Sequence, residues 1–147
     1  MPEVLIDRLL STAKTIAIVG ISNKPERDSY KVADYLQAHG YKILAVNPLQ
    51  EGTTILGEPC YPSLAAAQQA TGLHIDIVDC FRKSEDIPAI VADSIAIRAG
   101  AIWMQLSISN ESAASSAREA GLEVVMDRCT KIEHKRLNQL DDKNNPE

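Results

Sequence analysis

The stretch TIAIVGISNKPERDSYK, running from Thr15 to Lys31, decides the fold. Its opening, Thr15 to Val19, is nearly all apolar and mostly β-branched, without polar alternation, as expected of a strand covered on both faces. Gly20 then supplies a tight turn, and a polar, basic loop follows. Asp28 and Ser29 stand where a helix would be capped, with Val32, Ala33 and Leu36 on one stripe of a helix reaching about His39. Strand, glycine turn and helix are how a βαβ unit begins.

The same rhythm repeats outward from that stretch. Apolar runs recur at Lys42–Asn47, Ile75–Phe81, Ala101–Leu106 and Glu123–Asp127. Helical patterns lie between them. One runs from Ser63 to about Ala70, one is capped by Ser84 and carries Ile87, Val91 and Ile95, and one is capped by Asn110 with Ala113, Ala114 and Ala117. Gly40, Gly72, Gly100 and Gly121 each fall between a helical pattern and a strand, where a left-handed residue ends a helix. The pattern predicts an α/β, Rossmann-like three-layer domain around a five-stranded parallel sheet of order 3-2-1-4-5. An extra amphipathic helix is expected over Val4–Leu10 and one long irregular connection over Pro48–Pro62. Disorder is expected from Asn138 onward, giving a domain at residues 1–137 and a tail at 138–147.

Composition narrows the function. At 147 residues the chain fits one domain, able to bury a core without disulfide or metal staples. Aromatic residues make up 4% and the formal charge is −5, so neither base stacking nor phosphate-backbone attraction is well served and nucleic acid is disfavoured. A small anion responds to the local field and stays open. Cys60, Cys80 and Cys129 form no Cys-x-x-Cys pair, which argues against a disulfide framework or a zinc site. Glu3, Asp7 and Arg8 interrupt the N-terminal apolar residues, and no run approaches the ~18 apolar residues of a membrane span. The expected setting is the cytoplasm, away from membranes.

In an open α/β sheet, ligands bind beyond the carboxyl ends of the strands, where the winding reverses. That rule nominates the loop from Gly20 to Lys31, then Asn47-Pro48, Phe81-Arg82-Lys83, Gln105 to Ser107 and Asp127-Arg128-Cys129. Lys24, Arg27 and Lys31 gather cations at a helix N-terminus, where the dipole disfavours them unless an anion arrives. The alternative is a solvated basic loop balanced by Glu26 and Asp28. NAD is disfavoured because the loop has one glycine where G-x-G-x-x-G has three, and because the second strand ends Val46-Asn47-Pro48 without a carboxylate for the ribose. NADP, which needs no such carboxylate, is weakened less.

At this point the residues resemble a family. The fragments IAIVGIS-KP-R-SY-V--YL---GY, AVNP, G---Y-SL, D-VD-FR--E, GA--WMQL and AGL-VVMDRC---E follow in order over Thr15–Leu137. They are similar to the small stand-alone coenzyme A-binding proteins, whose domain resembles the N-terminal part of the succinyl-CoA synthetase alpha subunit. The resemblance implies that Gly20, Ser22, Lys24, Pro25, Arg27, Ser29 and Tyr30 belong to a loop cradling the phosphates. It further implies that Asn47 and Pro48 line the adenosine portion, that Phe81 and Arg82 lie along the pantetheine arm, and that Gln105 closes the fourth strand end. Family members usually read Gln-x-Gly where this chain has Gln105-Leu106-Ser107, so a side chain at Ser107 would narrow backbone approach there.

The synthetases carry their phosphorylated histidine in a second domain that finds no counterpart in these residues. The resemblance therefore implies binding of coenzyme A or an acyl-CoA without catalysis, with room for a protein partner that it does not specify. The alternatives are an NADP-dependent reductase or a subunit of an acyl-CoA enzyme completed by a partner. Arg27 reads as a ligand clamp, whereas Arg82 is equally an ion-pair partner of Glu85. Tyr30 is open between stacking on adenine and packing. Trp103 and Cys80 read as core, Cys129 as structural beside an Asp127–Arg128 pair, and His39 as a helix C-terminal residue. No spacing of His, Cys and carboxylates suggests a metal.

Overall fold

A computed structural model describes the backbone of residues 2–144 and the side chains through residue 140. The strands are β1 (Thr15–Val19), β2 (Lys42–Val46), β3 (Thr54–Ile55), β4 (Glu58–Tyr61), β5 (Ile77–Cys80), β6 (Ala101–Met104) and β7 (Glu123–Val125). The helices are α1 (Pro2–Thr12), α2 (Asp28–Ala38), α3 (Leu64–Thr71), α4 (Ile87–Ala96), α5 (Glu111–Glu119) and α6 (Thr130–Asn144). One sheet runs β3-β4-β2-β1-β5-β6-β7, parallel throughout except for the β3–β4 hairpin at its edge.

The expected order needs correction. The run at Ile75–Phe81 supplies β5, which lies beside β1 in register Ile16 to Ile77, not outside β2. The outer place belongs to β4, within the segment read as irregular. Its sequence, Glu58-Pro59-Cys60-Tyr61, has no strand signal of its own. It is a strand because Ala45 and Val46 of β2 pair with Cys60 and Tyr61. Counted alone in chain order, the parallel strands run 3-2-1-4-5-6.

Alternate residues of the strands feed two cores. Ile16 and Ile18 face α1, α2 and α6, meeting Ile6, Leu10, Val32 and Leu36. Ala17 and Val78 face α3, α4 and α5, meeting Leu64, Ile87, Val91 and Ala114. A sheet covered on both faces needs continuously apolar strands, which is what β1, β5 and β6 contain. Most helix ends follow from local chemistry. Ser63 accepts from the Ala66 amide at 3.1 Å to start α3, and Gly72 ends it at φ 69°. Asn110 accepts from the Ala113 amide at 3.0 Å to start α5.

Two expectations fail for identifiable reasons. Ser84 does not cap α4, because Ser84–Asp86 form a short 3-10 turn and the Ser84 hydroxyl instead accepts from the Ser109 amide at 3.2 Å. Gly100 is not left-handed; Arg98 takes that role at φ 57°. What Gly100 permits is close approach, since a Cβ there would stand 2.8 Å from the Asp76 carbonyl oxygen. Helix α6 crosses position 138, where disorder was expected to begin, and continues to Asn144; residues 145–147 of that tail lie outside the described residues. No helix among the described residues is long and apolar enough to cross a membrane.

Asn110 both caps α5 and donates from Nδ2 to the Ser84 carbonyl at 3.1 Å, tying the starts of α4 and α5 together. Asn110→Ala should lower stability by roughly 1–2 kcal/mol. A urea midpoint that stays at the wild-type value would show that the tie contributes nothing.

Candidate functional site

From β1 the chain winds outward to β2 and β4 on one side and to β5, β6 and β7 on the other. The carboxyl ends of β1 and β5 therefore flank the crevice where a doubly wound sheet binds ligands. Three cavities meet there. One of about 450 Å³ lies against the loop after β1, lined by Ser22, Lys24, Arg27 and Ser29. One of about 350 Å³ lies at the end of β2, lined by Pro48, Ser63 and Ile90. The largest, about 800 Å³, opens between α2 and α6 and is lined by Val32, Phe81, Gln105, Leu106, Cys129 and Ile132. Gly20 and Asn47 border the first two, Asp28 and Phe81 border the first and third, and Arg82 borders the second and third.

Gly20 makes this junction. Its φ is +87°, and a Cβ there would fall 2.6 Å from the Phe81 carbonyl oxygen. Both the turn and the close approach to β5 exclude a side chain. Beyond it the loop spends some of its own donors: the Ser22 amide donates to the Ser29 hydroxyl at 2.9 Å, and the Lys24 amide to the Ser22 hydroxyl at 3.1 Å. Ser22 and Ser29 thus build the loop before they could touch a ligand. The amides of Asp28, Ser29 and Tyr30, in the first turn of α2, find no acceptor among the described residues. Arg27 occupies the N-cap without a side-chain cap bond, so that end of the helix keeps its orphan donors. Neither Lys24, Arg27 nor Lys31 forms an ion pair within 4 Å among the described residues, with Glu26 and Asp28 included.

The other nominated residues divide. Asn47 is buried and both ends of its amide are used: Nδ2 donates to the Ile21 carbonyl and Oδ1 accepts from the Leu49 amide, each at 2.9 Å. Its side chain locks the β1 loop to the end of β2. Pro48 and Arg82 reach the cavities, with Arg82 also 3.4 Å from Asp86, an exposed pair worth little in water. Pro25 and Tyr30 border none of the three cavities, and the Tyr30 ring packs on the α2 core. Ser107 also stands outside them, held at φ 67° while its amide donates to Asp127 Oδ1 at 2.6 Å. That contact displaces the expected Asp127–Arg128 pair: Arg128 instead meets Glu3 at 3.4 Å and Glu133 at 3.6 Å.

Beneath the largest cavity lies a group that reading by position overlooks. Asp79 is fully buried in β5 and carries a pKa pushed up to about 7 by burial, against the lowering effect of its bonds from Gln105 and Thr130. The signal was available, as a carboxylate inside the apolar run Ile77-Val78-Asp79-Cys80. Cys129 faces the same cavity half-buried, and desolvation raises its pKa, which keeps the thiol protonated. His134 turns elsewhere, with Nδ1 2.9 Å from the Tyr35 hydroxyl and its pKa lowered by burial and by His39. Among the described residues no group of His, Cys and carboxylates could hold a metal.

An open, doubly wound sheet with amides and cations gathered at the switch point defines a Rossmann-type nucleotide-binding domain. The chain belongs to the family described as the CoA binding domain, which matches residues 14–135. It is 36% identical over 129 residues to an uncharacterized protein, YneT, of Bacillus subtilis, across 88% of this chain and 91% of that one. A solved structure from Thermus thermophilus superposes with a TM-score of 0.85 at 36% identity, covering 93% of this chain and 99% of that one. The dinucleotide-forming acetyl-coenzyme A synthetase 1 of Ca. Korarchaeum cryptofilum shares the fold, with a TM-score of 0.64 at 19% identity over 81% of this chain and 27% of that one.

Gly20→Ala should cost roughly 2–4 kcal/mol, from left-handed strain together with the clash against Phe81; a denaturant midpoint within error of wild type would contradict the close approach. For Asp79, an unfolded aspartate titrates near ~3.9 and the folded one near about 7. The folded state holds the proton more tightly, so this contribution is complete below about pH 4 and is lost as pH rises toward 7. Between those limits the wild type should lose up to about 4 kcal/mol relative to Asp79→Asn. Urea titrations of both proteins at pH 4.5 and 7.5 check this, and parallel pH profiles would contradict it.

Proposed function

We propose that this protein binds coenzyme A or an acyl-CoA, with the diphosphate held by the loop after β1 and the start of α2. The observation that carries the reading is a set of unspent donors around one cavity: the amides of Asp28 and Ser29 beside the cations Lys24 and Arg27, which form no ion pair among the described residues. An anion there would satisfy orphan N–H groups and reverse the unfavourable meeting of cations with the helix dipole. Membership of the CoA binding domain family supports coenzyme A over other nucleotides. The adenosine portion then falls toward Pro48 and Ser63, and the pantetheine arm passes Phe81 and Arg82 into the largest cavity.

The protein acts by binding, without catalysis of its own. The nucleophile nearest the arm would be Cys129, and its burial favours the thiol over the reactive thiolate. An activating imidazole is the usual remedy, but the ring of His134 is engaged with Tyr35. Carriage, sensing or regulation of a partner in the cytoplasm fits such a module.

Thermal shift with coenzyme A, dephospho-coenzyme A, ADP and NADP separates the alternatives, and coenzyme A should give the largest stabilisation. A melting point unmoved by every coenzyme A derivative would remove the reading. Arg27→Ala should weaken coenzyme A binding by roughly 1.5–3 kcal/mol, the range for a hydrogen bond to a charged group; titration calorimetry giving equal affinities would return Arg27 to the solvated surface.

A further inference from the structure

Gln105 follows the end of β6 at the wall of the largest cavity, and the residue is buried, with 5% exposed. Its amide nitrogen is doubly committed, donating to Asp79 Oδ1 at 2.5 Å and to the Thr130 hydroxyl at 3.1 Å. Thr130 in turn donates to Asp79 Oδ2 at 2.9 Å, closing a ring of three side chains from β5, β6 and α6. A carboxylate only accepts hydrogen bonds, so the ionised Asp79 dictates which end of the Gln105 amide faces inward. The NH2 goes down to Asp79 and the carbonyl oxygen is left pointing away.

That oxygen, Oε1, receives no hydrogen bond among the described residues. Every fully buried side-chain polar atom among them has a partner, so Oε1 is not sealed in; it is the part of Gln105 that remains open at the cavity it lines. The cavity wall combines apolar side chains such as Phe81, Leu106, Ile108 and Ile132 with charged ones, Lys31 and Lys131 included. A fixed, unsatisfied acceptor that a bound ligand covers selects for a hydrogen-bond donor, because a ligand group without one leaves the acceptor desolvated and unpaired.

We propose that Gln105 reads an amide N–H of the pantetheine arm in this cavity, and that Asp79 and Thr130 are positioning residues that set the orientation of its amide. The inference rests on the coenzyme A reading above and adds to it the recognition of the arm. The arm of coenzyme A is a flexible chain whose secondary amides supply the required donor. The cavity borders the phosphate-loop cavity at Asp28 and Phe81, so a chain leaving the diphosphate enters it directly.

The test compares coenzyme A with adenosine 3′,5′-bisphosphate, which keeps the nucleotide and lacks the arm. Titrations at pH 8 keep Asp79 ionised. Gln105→Met retains volume and removes the acceptor; it should weaken coenzyme A roughly 3–10-fold and leave the bisphosphate unchanged. Asp79→Leu, which frees the Gln105 amide to turn, should do the same. Asp79→Asn should restore coenzyme A affinity, since its carbonyl can still accept from Gln105 while its NH2 meets Thr130. If Asp79→Leu does not fold, Gln105→Met carries the test, since Thr130→Val would leave Asp79 in place to hold the Gln105 NH2.

Unchanged coenzyme A affinity in Gln105→Met overturns the inference. So does an equal loss for both ligands, which would mark the ring as merely structural, or a wild-type protein that gains nothing from the arm. Failure of the wild type to bind either ligand would instead overturn the coenzyme A reading itself.

Discussion

The approach of the Gly20 turn to the end of β5 is the constraint on which the site depends. A Cβ at Gly20 would stand 2.6 Å from the Phe81 carbonyl oxygen, so only a bare α-carbon lets the chain leave β1 over its neighbour. β1 is held between β2 and β5 as a central strand buried from Thr15 to Ile18, and the turn above it cannot spread outward. Asn47 supplies the lock from the opposite side, bonding the Ile21 carbonyl and the Leu49 amide with one side chain. With both sides pinned, the start of α2 is aimed at the crevice, and its unspent amides become a feature of the fold and not of a mobile loop. Preorganisation of this kind lowers the ordering cost of binding.

A second consequence concerns Asp79. Burying a carboxylate in a β-sheet core is costly unless it is paired or hydrogen-bonded. Among the described residues no cation pairs with it; the bonds from Gln105 and Thr130 are its compensation, and its pKa stays pushed up to about 7. Such a group is a poor stabiliser. Its retention makes physical sense if the geometry it imposes on Gln105 matters to what the cavity holds. The cavity is further shaped by α6, whose start is anchored by Trp103 Nε1 donating to the Arg128 carbonyl at 2.7 Å.

Much of this was legible in the residues. The apolar runs of β1, β2, β5 and β6, the helix start at Ser63, the cap at Asn110 and the Gly20 turn follow from local rules of burial, capping and backbone freedom. So does the nomination of the β1 loop, because strand ends at a switch point follow from the order of elements alone. Less legible was the division of labour within the loop. Ser22 and Ser29 look like ligand donors in sequence, yet they bond each other's segments, and Tyr30, open in sequence between stacking and packing, packs against the core that α2 covers. Partners two or seven residues apart across a turn have no periodic signature.

What the chain determined unaided is therefore periodic or local: a doubly covered parallel sheet, helices on both faces, and a basic turn at a helix start. Tertiary structure alone decided the rest. β4 exists only because β2 offers Ala45 and Val46 as an edge, and its presence moves the Ile75–Phe81 run from the outside of the sheet to its centre. Asp79, Gln105 and Thr130 meet from positions 26 and 51 residues apart in the chain, brought together by the crossover of α6 onto the sheet. Pairing and packing act between distant segments, and no window of sequence contains both halves of such a contact.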